Sequence, residues 1–292
     1  MEILVLGSNG QVSSELRAIA ALHPSWIIDF VGSKEVDMSV LELAKAYFEG
    51  LKRYDWVLNC AAYTAVDKAE SDVEKCYNLN TELPKTLVAY SVRTGAIVLH
   101  ISSDYVYHPM AINYPIVESL PCSPQGVYAK SKHEGDLAFI NQDVCNYLII
   151  RTSWVYSRFG ANFVKTMLRL GRERAGLSVV ADQIGSPTNA ADLAEVLLSV
   201  VGQIGLDKKD VRLNAVYNYS NEGVCSWYDF AHEIFRQKQV ACALTPIGTA
   251  DYPTPAMRPH WSYMSKKLIS SQFNLTIPHW QTSLAGCLSL LD

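Results

Sequence analysis

A tyrosine and a lysine four residues apart, Tyr128 and Lys132, are the pair in this chain best suited to move a proton. On a helix this spacing places both side chains on one face, one turn apart. A phenol with an ordinary pKa near 10 exchanges a proton more readily at neutral pH when a nearby cation lowers that pKa. The pair therefore suits carbonyl reduction, in which hydride reaches carbon and a proton reaches oxygen. Taken alone, the same spacing is common on exposed helices.

A polar stretch upstream, residues 102–105 (SSDY), follows an apolar run and places a hydroxyl where a strand is expected to end. In open α/β sheets, ligands bind at the carboxyl edge of the strands. Ser103 is thus a candidate to orient the carbonyl beside Tyr128. The order Ser103, Tyr128, Lys132 is a stronger signal than the tyrosine and lysine alone.

A glycine-containing turn, residues 7–13 (GSNGQVS), joins the first apolar run to the first helical pattern. Glycines there let the backbone approach a phosphate, and the start of the helix supplies amide donors and a partial positive charge. Ser13 replaces the usual third glycine with another small residue. A tight strand–helix turn is the alternative interpretation, but the position at the first strand favours a dinucleotide.

The residue that contacts the adenine ribose is expected about 20 residues later, at the end of the second strand. Asp29 and Phe30 are the two candidates, and Lys34 could meet a 2′-phosphate, so both NADH and NADPH stay open. Asp37 and Met38 offer an acid for the adenine amine and an apolar face for the ring. A helix N-cap is the alternative for Asp37.

Short apolar runs alternate with helix-period segments through the first half of the chain. Apolar runs of this length predict buried strands, and strand–helix repeats predict a parallel sheet covered by helices on both faces. The predicted strands are residues 2–6, 26–31, 55–60, 96–102 and 146–151, and the predicted helices lie near 12–20, 39–52, 66–78, 82–94 and 127–141.

This alternation predicts an α/β fold, a Rossmann-type doubly wound parallel sheet with a smaller, discontinuous C-terminal substrate domain. Residues 1–151 are assigned to the dinucleotide-binding domain and residues 152–292 mainly to the substrate domain, where the pattern loosens and prolines accumulate. Residues 215–220 (AVYNYS) are expected to return to the main sheet as a late strand.

Composition excludes several classes of protein. With 25 Lys and Arg against 29 Asp and Glu, the chain carries a formal charge of −4 and no basic run, so nucleic-acid binding is not expected. No uncharged apolar stretch approaches the roughly 18 residues of a membrane span. The seven cysteines include no CxxC pair, so neither a zinc site nor a disulfide framework is indicated. These features, and an N-terminus without a secretory pattern, predict a cytoplasmic protein.

Several stretches together resemble the dTDP-4-dehydrorhamnose reductase family of extended short-chain dehydrogenases/reductases, and they span nearly the whole chain. That resemblance implies reduction by NADPH or NADH of the 4-keto group of a dTDP-4-dehydro-6-deoxy sugar, dTDP-4-dehydro-β-L-rhamnose, to give dTDP-L-rhamnose. The matching stretches are 7–12 (GSNGQV), 59–70 (NCAAYTAVDKAE), 102–107 (SSDYVY), 128–132 (YAKSK), 151–156 (RTSWVY), 160–168 (GANFVKTML), 182–188 (DQIGSPT) and 252–259 (YPTPAMRP).

The resemblance also implies roles for individual residues. Tyr128 is the implied proton donor, Lys132 its partner and ribose anchor, and Ser103 the hydroxyl that orients the carbonyl. The other residues that fall where the family holds the dinucleotide are Gly7, Asn9, Gly10, Gln11, Val12, Asp37, Met38, Ala61, Ala62, Tyr63 and Thr64. The residues that fall where the family holds the deoxyhexose are Asp104, Tyr105 and Trp154.

Cationic residues downstream are candidates for the diphosphate. Lys165, Arg169 and Arg172 share one face of a predicted helix, with a solvated face as the ordinary alternative. Asn162 and Lys165 lie within the family-like stretch and are therefore preferred over the two arginines. Arg258, in a proline-rich loop, could bind a phosphate with two parallel hydrogen bonds.

Two departures from the family pattern stand out. Residues 260–264 (HWSYM) are bulkier than the family's usual continuation, which bears on recognition of the sugar or base rather than on the reduction. Some family members pair through a metal held by glutamates. Here Glu15 is in place but Ala191 occupies the position of a second acid, so no metal site is predicted, although a homodimer remains an expectation.

Two other functions compete with the reductase. One is a related nucleotide-sugar epimerase or dehydratase, against which the reductase-type stretches and the lack of an extra acid–base pair beside Tyr128 both argue. The other is a non-catalytic subunit similar to the regulatory subunit of methionine adenosyltransferase. The intact Ser103, Tyr128 and Lys132 argue against that second alternative.

Overall fold

The computed structural model describes residues 1–108, 113–205 and 213–291. Its centre is a six-stranded parallel sheet with the strand order β10-β5-β4-β3-β1-β2. This confirms the predicted doubly wound α/β class. The strands within the described residues are β1 (Glu2–Leu6), β2 (Ile27–Val31), β3 (Trp56–Asn59), β4 (Ile97–Ser103), β5 (Asn146–Thr152), β6 (Val155–Tyr156), β7 (Gly176–Val180), β8 (Ile184–Gly185), β9 (Thr188–Asn189), β10 (Ala215–Tyr219), β11 (Cys225–Ser226) and β12 (Ala243–Ile247).

Helices cover both faces of this sheet. Buried side chains of α1 and α8 pack on one face, and those of α2, α5 and α6 pack on the other. In the part of the chain that the structure describes, the α-helices are α1 (Gln11–Ile19), α2 (Leu41–Gly50), α3 (Val66–Ala69), α4 (Val73–Tyr77), α5 (Leu83–Thr94), α6 (Gly126–Ile140), α7 (Phe163–Glu173), α8 (Ala190–Ile204), α9 (Trp227–Lys238), α10 (Lys267–Phe273) and α11 (Trp280–Leu288).

The strands are apolar because they are covered on both sides. Residues 3–6 of β1 are all 0% exposed, and their side chains alternate between the two helix layers. From β1 the chain moves outward to β2 and then returns to β3 on the other side of β1. The crevice at such a reversal, above the carboxyl ends of the strands, is where open α/β sheets bind ligands.

The helix predicted over residues 66–78 is wrong: the structure has two short helices, α3 and α4, with a turn between them. Glu70 and Ser71 leave the helix, and the Ser71 hydroxyl donates to the main-chain oxygen of Lys68. Serine and aspartate side chains compete with helical hydrogen bonds in this way. After α4, residues Asn78–Glu82 form a π-helical segment that leads into α5.

The second half of the chain forms smaller sheets and a separate apolar cluster. β7 pairs with β12, β6 with β9, and β8 with β11, while α7, α9 and α11 share a core that contains Met167, Phe230 and Leu284. β10 leaves this half and pairs in parallel with β5 in the main sheet. Within the described residues, every helix is too short or too polar to cross a membrane.

The helix α6, which carries Tyr128 and Lys132, lies unusually close to the π-helical segment. A Cβ placed on Gly135 would lie 2.0 Å from the main-chain oxygen of Asn80. On the same contact, the Thr81 hydroxyl donates to the main-chain oxygen of Ser131 at 2.8 Å. A glycine is therefore required in the middle of this helix by packing.

We expect Gly135→Ala to destabilise the protein by about 1–3 kcal/mol, the usual cost of forcing extra volume into a packed core. Helix propensity alone predicts the opposite, a gain of about 1 kcal/mol. Gly286→Ala is the matched control, because Gly286 lies within α11 with no neighbouring atom within 4 Å of a new Cβ. Urea unfolding measures both variants, and a Gly135→Ala protein as stable as Gly286→Ala would contradict the close approach.

Candidate active site

The three candidate catalytic residues come from two adjacent elements. Ser103 ends β4, whereas Tyr128 and Lys132 lie one turn apart on α6, and all three are at least nine-tenths buried. The Lys132 ammonium donates to the main-chain oxygen of Ile101 at 2.7 Å. The ammonium is thereby fixed to the strand that carries Ser103.

Burial dominates the acidity of these groups. It raises the pKa of Tyr128 above its usual range, while hydrogen bonding with Ser103 acts in the opposite direction. Burial also lowers the pKa of Lys132 to about 8. The Tyr105 ring meets the Tyr128 ring edge-on, with 5.3 Å between the ring centroids, and shields one side of the phenol.

Asp104 holds the Ser103 hydroxyl. The Ser103 Oγ donates to Asp104 Oδ1 at 3.1 Å and accepts from the main-chain nitrogen of Tyr105 at 3.3 Å. Asp104 is 3% exposed, and this burial raises its pKa to about 7. A carboxyl group that changes charge near neutral pH therefore sits one hydrogen bond from the hydroxyl expected to orient a carbonyl.

The N-terminus of α6 is anchored by the stretch that follows β3. Glu70 Oε1 accepts from the main-chain nitrogen of Val127 at 2.8 Å, beside Gly126, whose φ is +78°. A carboxylate at a helix N-terminus is favoured by the helix dipole. The Tyr63 main-chain nitrogen donates to Asn80 Oδ1 in the π-helical segment. This stretch thus fixes the helix that carries Tyr128 and Lys132.

The glycine turn after β1 closes directly onto the loop after β3. Gly7 has a φ of +80°, and a Cβ there would lie 2.8 Å from the main chain of Ala61. Both loops therefore meet at the carboxyl edge of the sheet with main chain, rather than side chains, in contact. In this contact of the two loops, the Gly7 cradle, the main-chain nitrogens of Gly7, Ser8 and Gly10 are already bonded within the protein, so the amides that a dinucleotide phosphate can use are those at the start of α1.

The side chains of this turn also contact the second half of the chain. Gln11 Oε1 accepts from Asn162 Nδ2 at 2.9 Å, and Gln11 Nε2 donates to the main-chain oxygen of Val155 at 3.4 Å. Asn162 caps α7 by accepting from the main-chain nitrogen of Lys165. Asn162, which was expected at the substrate, therefore lies between the glycine turn and α7. Its role as the N-cap of α7 was not predicted from the sequence.

Asp29 is not at the ribose position, so this candidate is wrong. It lies in the middle of β2 opposite Leu4, and its carboxylate accepts from the Tyr54 hydroxyl at 2.6 Å. β2 ends at Val31, which moves the carboxyl edge to Gly32 and Lys34. Farther along, the Asp37 carboxylate accepts from both the main-chain nitrogen and the hydroxyl of Ser39, and these bonds lower its pKa.

The other residues expected at the dinucleotide lie around the same crevice. Met38 is buried in the apolar layer between the sheet and α2 and α5, whereas Tyr63 donates its hydroxyl to Asp72. The remaining members lie in the two loops that end β1 and β3 or at the start of α1, and they are Asn9, Gly10, Val12, Ala62 and Thr64.

A cavity of about 780 Å³ opens between α7, β7, β12 and the loop before Arg258. The apolar face of α7 lines it, with Phe163, Met167 and Leu170, and Arg258 lies on its wall. Its volume falls in the usual range for small-molecule sites. The cationic stripe of α7 does not line it: Lys165, Arg169 and Arg172 border a smaller depression on another side.

Two stacked indoles connect the segment after β5 to the start of α9, where Trp227 lines this cavity. The rings of Trp154 and Trp227 are nearly parallel, with centroids 3.7 Å apart. Trp154 has a φ of +48°, a left-handed conformation that is costly for a large side chain. Trp227, which lines the cavity, is a candidate that the sequence analysis missed, because an aromatic residue near the start of a helix carries no local signal for ligand binding.

Arg258 is held by the Rossmann half. Its guanidinium donates to both carboxylate oxygens of Asp67, at 3.0 and 2.6 Å, and to the main-chain oxygen of Ala256. The pair raises the pKa of Arg258 and lowers that of Asp67. The charge of Arg258 also reaches Tyr105, which packs on Tyr128. Arg258 on the cavity wall is therefore linked through Tyr105 to Tyr128, the candidate proton donor.

Residues 260–264 lie on a small core rather than along the cavity. Trp261 Nε1 donates to the main-chain oxygen of Tyr114, and Met264 is 0% exposed beside Tyr107. Ser262 packs against Gly185, where a Cβ would lie 2.5 Å from its hydroxyl and 2.9 Å from the Trp154 ring. The larger side chains of this segment therefore pack on neighbouring residues and do not line the cavity.

In the part of the chain that the structure describes, no three His, Cys, Asp or Glu side chains cluster as metal ligands. Glu15, the residue considered for such a site, is 3% exposed, accepts from the Ser157 hydroxyl at 2.7 Å and pairs with Arg158 at 3.3 Å. Its carboxylate therefore links α1 to the segment after β6.

Comparison with known proteins gives a consistent result. A family model described as RmlD substrate binding domain matches residues 1–292. A dTDP-4-dehydrorhamnose reductase of Salmonella typhimurium is 38% identical, over 99% of this chain and 97% of that protein. Crystal structures of dTDP-4-dehydrorhamnose reductases from Clostridium acetobutylicum (35% identity, TM-score 0.90) and from Bacillus anthracis in complex with NADP (31%, TM-score 0.88) each cover 100% of this chain and 99% of theirs. The chain belongs to the RmlD substrate binding domain family, the family of the dTDP-4-dehydrorhamnose reductases.

Proposed function

We propose that this protein reduces the 4-keto group of dTDP-4-dehydro-β-L-rhamnose to give dTDP-L-rhamnose, with NADPH or NADH as the reductant. The observation that carries the proposal is the buried group of Ser103, Tyr128 and Lys132 at the same sheet edge as the Gly7 cradle. Relatives named for this reaction, alignable over nearly their whole length, support the same assignment.

The residues at the crevice fit a dinucleotide. Gly7 lets the loops after β1 and β3 approach closely, since a Cβ there would collide with Ala61, and α1 begins two residues after Asn9 with its N-terminal amides at the same place. Ser33 and Lys34 follow the end of β2, and the Glu35 carboxylate accepts from the main-chain nitrogen of Gly32 at 2.9 Å, so a cation and an acid both lie at this strand end and both NADPH and NADH stay open. When bound, the nicotinamide supplies hydride to the carbonyl carbon.

Tyr128 supplies the proton to the carbonyl oxygen in this mechanism. The phenol is buried, so its hydroxyl stays protonated until negative charge develops on the substrate oxygen. Ser103 orients that oxygen, and Lys132 stabilises the phenolate left behind as well as contacting the ribose. Lys132 is held by its hydrogen bond to Ile101, and Ser103 by its hydrogen bond to Asp104. Both side chains are therefore in position before the substrate binds.

The nucleotide-sugar end is proposed to occupy the cavity of about 780 Å³ beside Arg258. An apolar wall with Phe163 and Trp227 suits a base and sugar, and the N–H donors of Arg258 that are not bonded to Asp67 or Ala256 suit a diphosphate. Trp154, Asp104 and Tyr105 would then lie toward the deoxyhexose. Asn162 supports this site indirectly, by capping α7 and bonding Gln11, whereas Lys165 lies on another side of α7 and is not placed at the cavity.

Each half of the chain is proposed to bind one of the two ligands. We propose that residues 1–151, with β10, bind the dinucleotide and that residues 152–292 mainly bind the sugar nucleotide. A homodimer and a cytoplasmic location remain predictions from the sequence.

Oxidation of NADPH or NADH, measured with a panel of dTDP-4-keto-6-deoxy sugars, tests the proposed reaction. Turnover with the L-lyxo ketose, the immediate rhamnose precursor, is the expected result. Turnover with a different keto sugar would reject the substrate assignment. Epimerisation or dehydration without net oxidation of the cofactor, or binding without turnover, would favour one of the two alternatives.

Tyr128→Phe is expected to lower kcat by about 10²–10⁴-fold, the usual contribution of a positioned general acid. Folding and cofactor affinity should stay close to wild type, because the phenyl ring fills the same space. Steady-state rates and a fluorescence titration of NADPH measure the two effects.

The matched control is Tyr54→Phe, which removes a hydroxyl that donates to Asp29 on β2 and should leave kcat unchanged. Lys132→Met should lower both kcat and cofactor affinity. A Tyr128→Phe enzyme that keeps more than about a tenth of the wild-type kcat would lie outside the range for a general acid.

Arg258→Ala is expected to raise KM for the dTDP-sugar at least tenfold with a much smaller change in kcat. A phosphate contact made equally in the ground and transition states contributes to KM alone. Asp67→Asn is the control, since it removes the ionic partner of Arg258 but leaves the guanidinium. An equal rise in KM for Asp67→Asn would show that the ion pair, and not a phosphate contact, accounts for the effect.

A further inference from the structure

A buried charged cluster lies beneath Lys132 and takes no part in the proposed reaction. Asp136, one turn after Lys132 on α6, is 0% exposed, and its Oδ2 accepts from Arg151 Nε on β5 at 2.9 Å. His100, on β4 and also 0% exposed, places its Nε2 3.9 Å from Asp136 Oδ1. Charged side chains are rarely placed so deep unless they are paired.

The charges of this cluster do not cancel. Burial and the charge of Lys132 hold the pKa of His100 well below its usual range, so this imidazole is neutral. Asp136 raises the pKa of Arg151, which stays cationic. The buried groups are then two cations, Lys132 and Arg151, and one anion, Asp136. Without Asp136, two positive charges would be buried with no counter-ion among them.

The contacts around Asp136 leave part of its charge available to Lys132. Its Oδ1 has no hydrogen-bond donor among the described residues, and Lys132 Nζ makes its hydrogen bond to a main-chain oxygen, not to a carboxylate. Residues four apart on a helix share one face. The electrostatic attraction between the two therefore acts through the interior of the protein, where solvent screens it weakly.

We propose that Asp136 is a positioning residue that keeps the ammonium of Lys132 charged, and that Arg151 and His100 hold its carboxylate in the orientation for this task. The inference rests on the proposed role of Lys132 in the reaction. A charged Lys132 is needed there because a neutral amine would neither stabilise the phenolate of Tyr128 nor bind the ribose hydroxyls as firmly.

The other ionisable groups that face Lys132 do not supply the missing charge. Burial raises the pKa of the Cys60 thiol to about 12 and raises that of Cys76, so both thiols are neutral at physiological pH. His100 is neutral, and Tyr128, one turn earlier on α6, is protonated at rest. Asp136 is the anion whose charge acts most strongly on Lys132.

The stability of the protein reports the ionisation of Lys132 without substrate or cofactor. Burial lowers the pKa of Lys132 to about 8, against about 10.5 in the unfolded chain. Between these values the unfolded state binds more protons, so on account of this residue the free energy of unfolding rises with pH. Subtracting the curve of Lys132→Met from that of the wild type isolates this rise from the titration of other groups.

The experiment is urea unfolding between pH 6 and 10.5 of the wild type and of Asp136→Asn, each with Lys132 and with Lys132→Met. The difference curve should begin to rise about one pH unit or more lower in the Asp136→Asn background, the shift expected on losing a nearby opposite charge. Asp136→Glu, which keeps the charge, should leave the curve in place. Asp192→Asn, which removes a carboxylate bound to Asn221 and Ser283 elsewhere, should also leave it in place.

A difference curve that starts at the same pH in wild type and Asp136→Asn would overturn the proposal, as would an equal shift in Asp136→Glu. If Asp136→Asn fails to fold, the double variant decides: folding restored by Lys132→Met supports the coupling, and a double variant no more stable than Asp136→Asn rejects it. An enzyme inactive on every keto sugar would reject the proposed function and leave this measurement unaffected.

Discussion

The burial of one ammonium group, that of Lys132, governs how the rest of the site is built. Removing a cation from water is expensive unless other groups compensate for it. The compensation here is a main-chain oxygen of β4, which requires α6 to lie close to the sheet, and the negative charge of Asp136 on α6 itself. On another side of α6, Gly135 permits the close approach of Asn80 in the π-helical segment. Glu70 fixes the start of the same helix, so its position along the sheet is also set.

The two halves of the chain are joined at the site by polar contacts. Gln11 bonds Asn162 across the glycine turn, and Asp67 binds Arg258 on the cavity wall. Within the second half, packing at Gly185 brings Trp154 and Ser262 together, although they are more than 100 residues apart in sequence. The two polar contacts join the glycine turn to α7 and the loop after β3 to the wall of the cavity beside Arg258.

The parts of the fold that the sequence predicted are those where a local pattern and the tertiary structure agree. The strands were recognisable because burial on both faces demands unbroken apolar runs, and β10 because it repeats that pattern. The candidate site was recognisable because Tyr128 and Lys132 need a fixed helical spacing. The family resemblance supplied the roles of residues, such as Arg258, whose local sequence carries little information.

What the sequence could not show depends on distant partners. The break between α3 and α4 follows from Glu70 turning to cap α6, a contact with a residue 57 positions away. Asp29 was misplaced because a count along the sequence does not show which residue lies at the strand end, and β2 continues for two residues beyond Asp29. Asp136 was missed because a carboxylate on a helix ordinarily faces water, and only the arrangement of β4 and β5 shows that this one is buried.

The stacked indoles of Trp154 and Trp227 have an optical consequence. Two nearly parallel chromophores 3.7 Å apart share their electronic excitation, so they absorb and emit as a coupled pair rather than as two independent rings. Since one ring belongs to the segment after β5 and the other to α9, any displacement of α9 from the sheet would uncouple them. The near-ultraviolet circular dichroism of the protein therefore reports whether α9 keeps its place against the segment after β5.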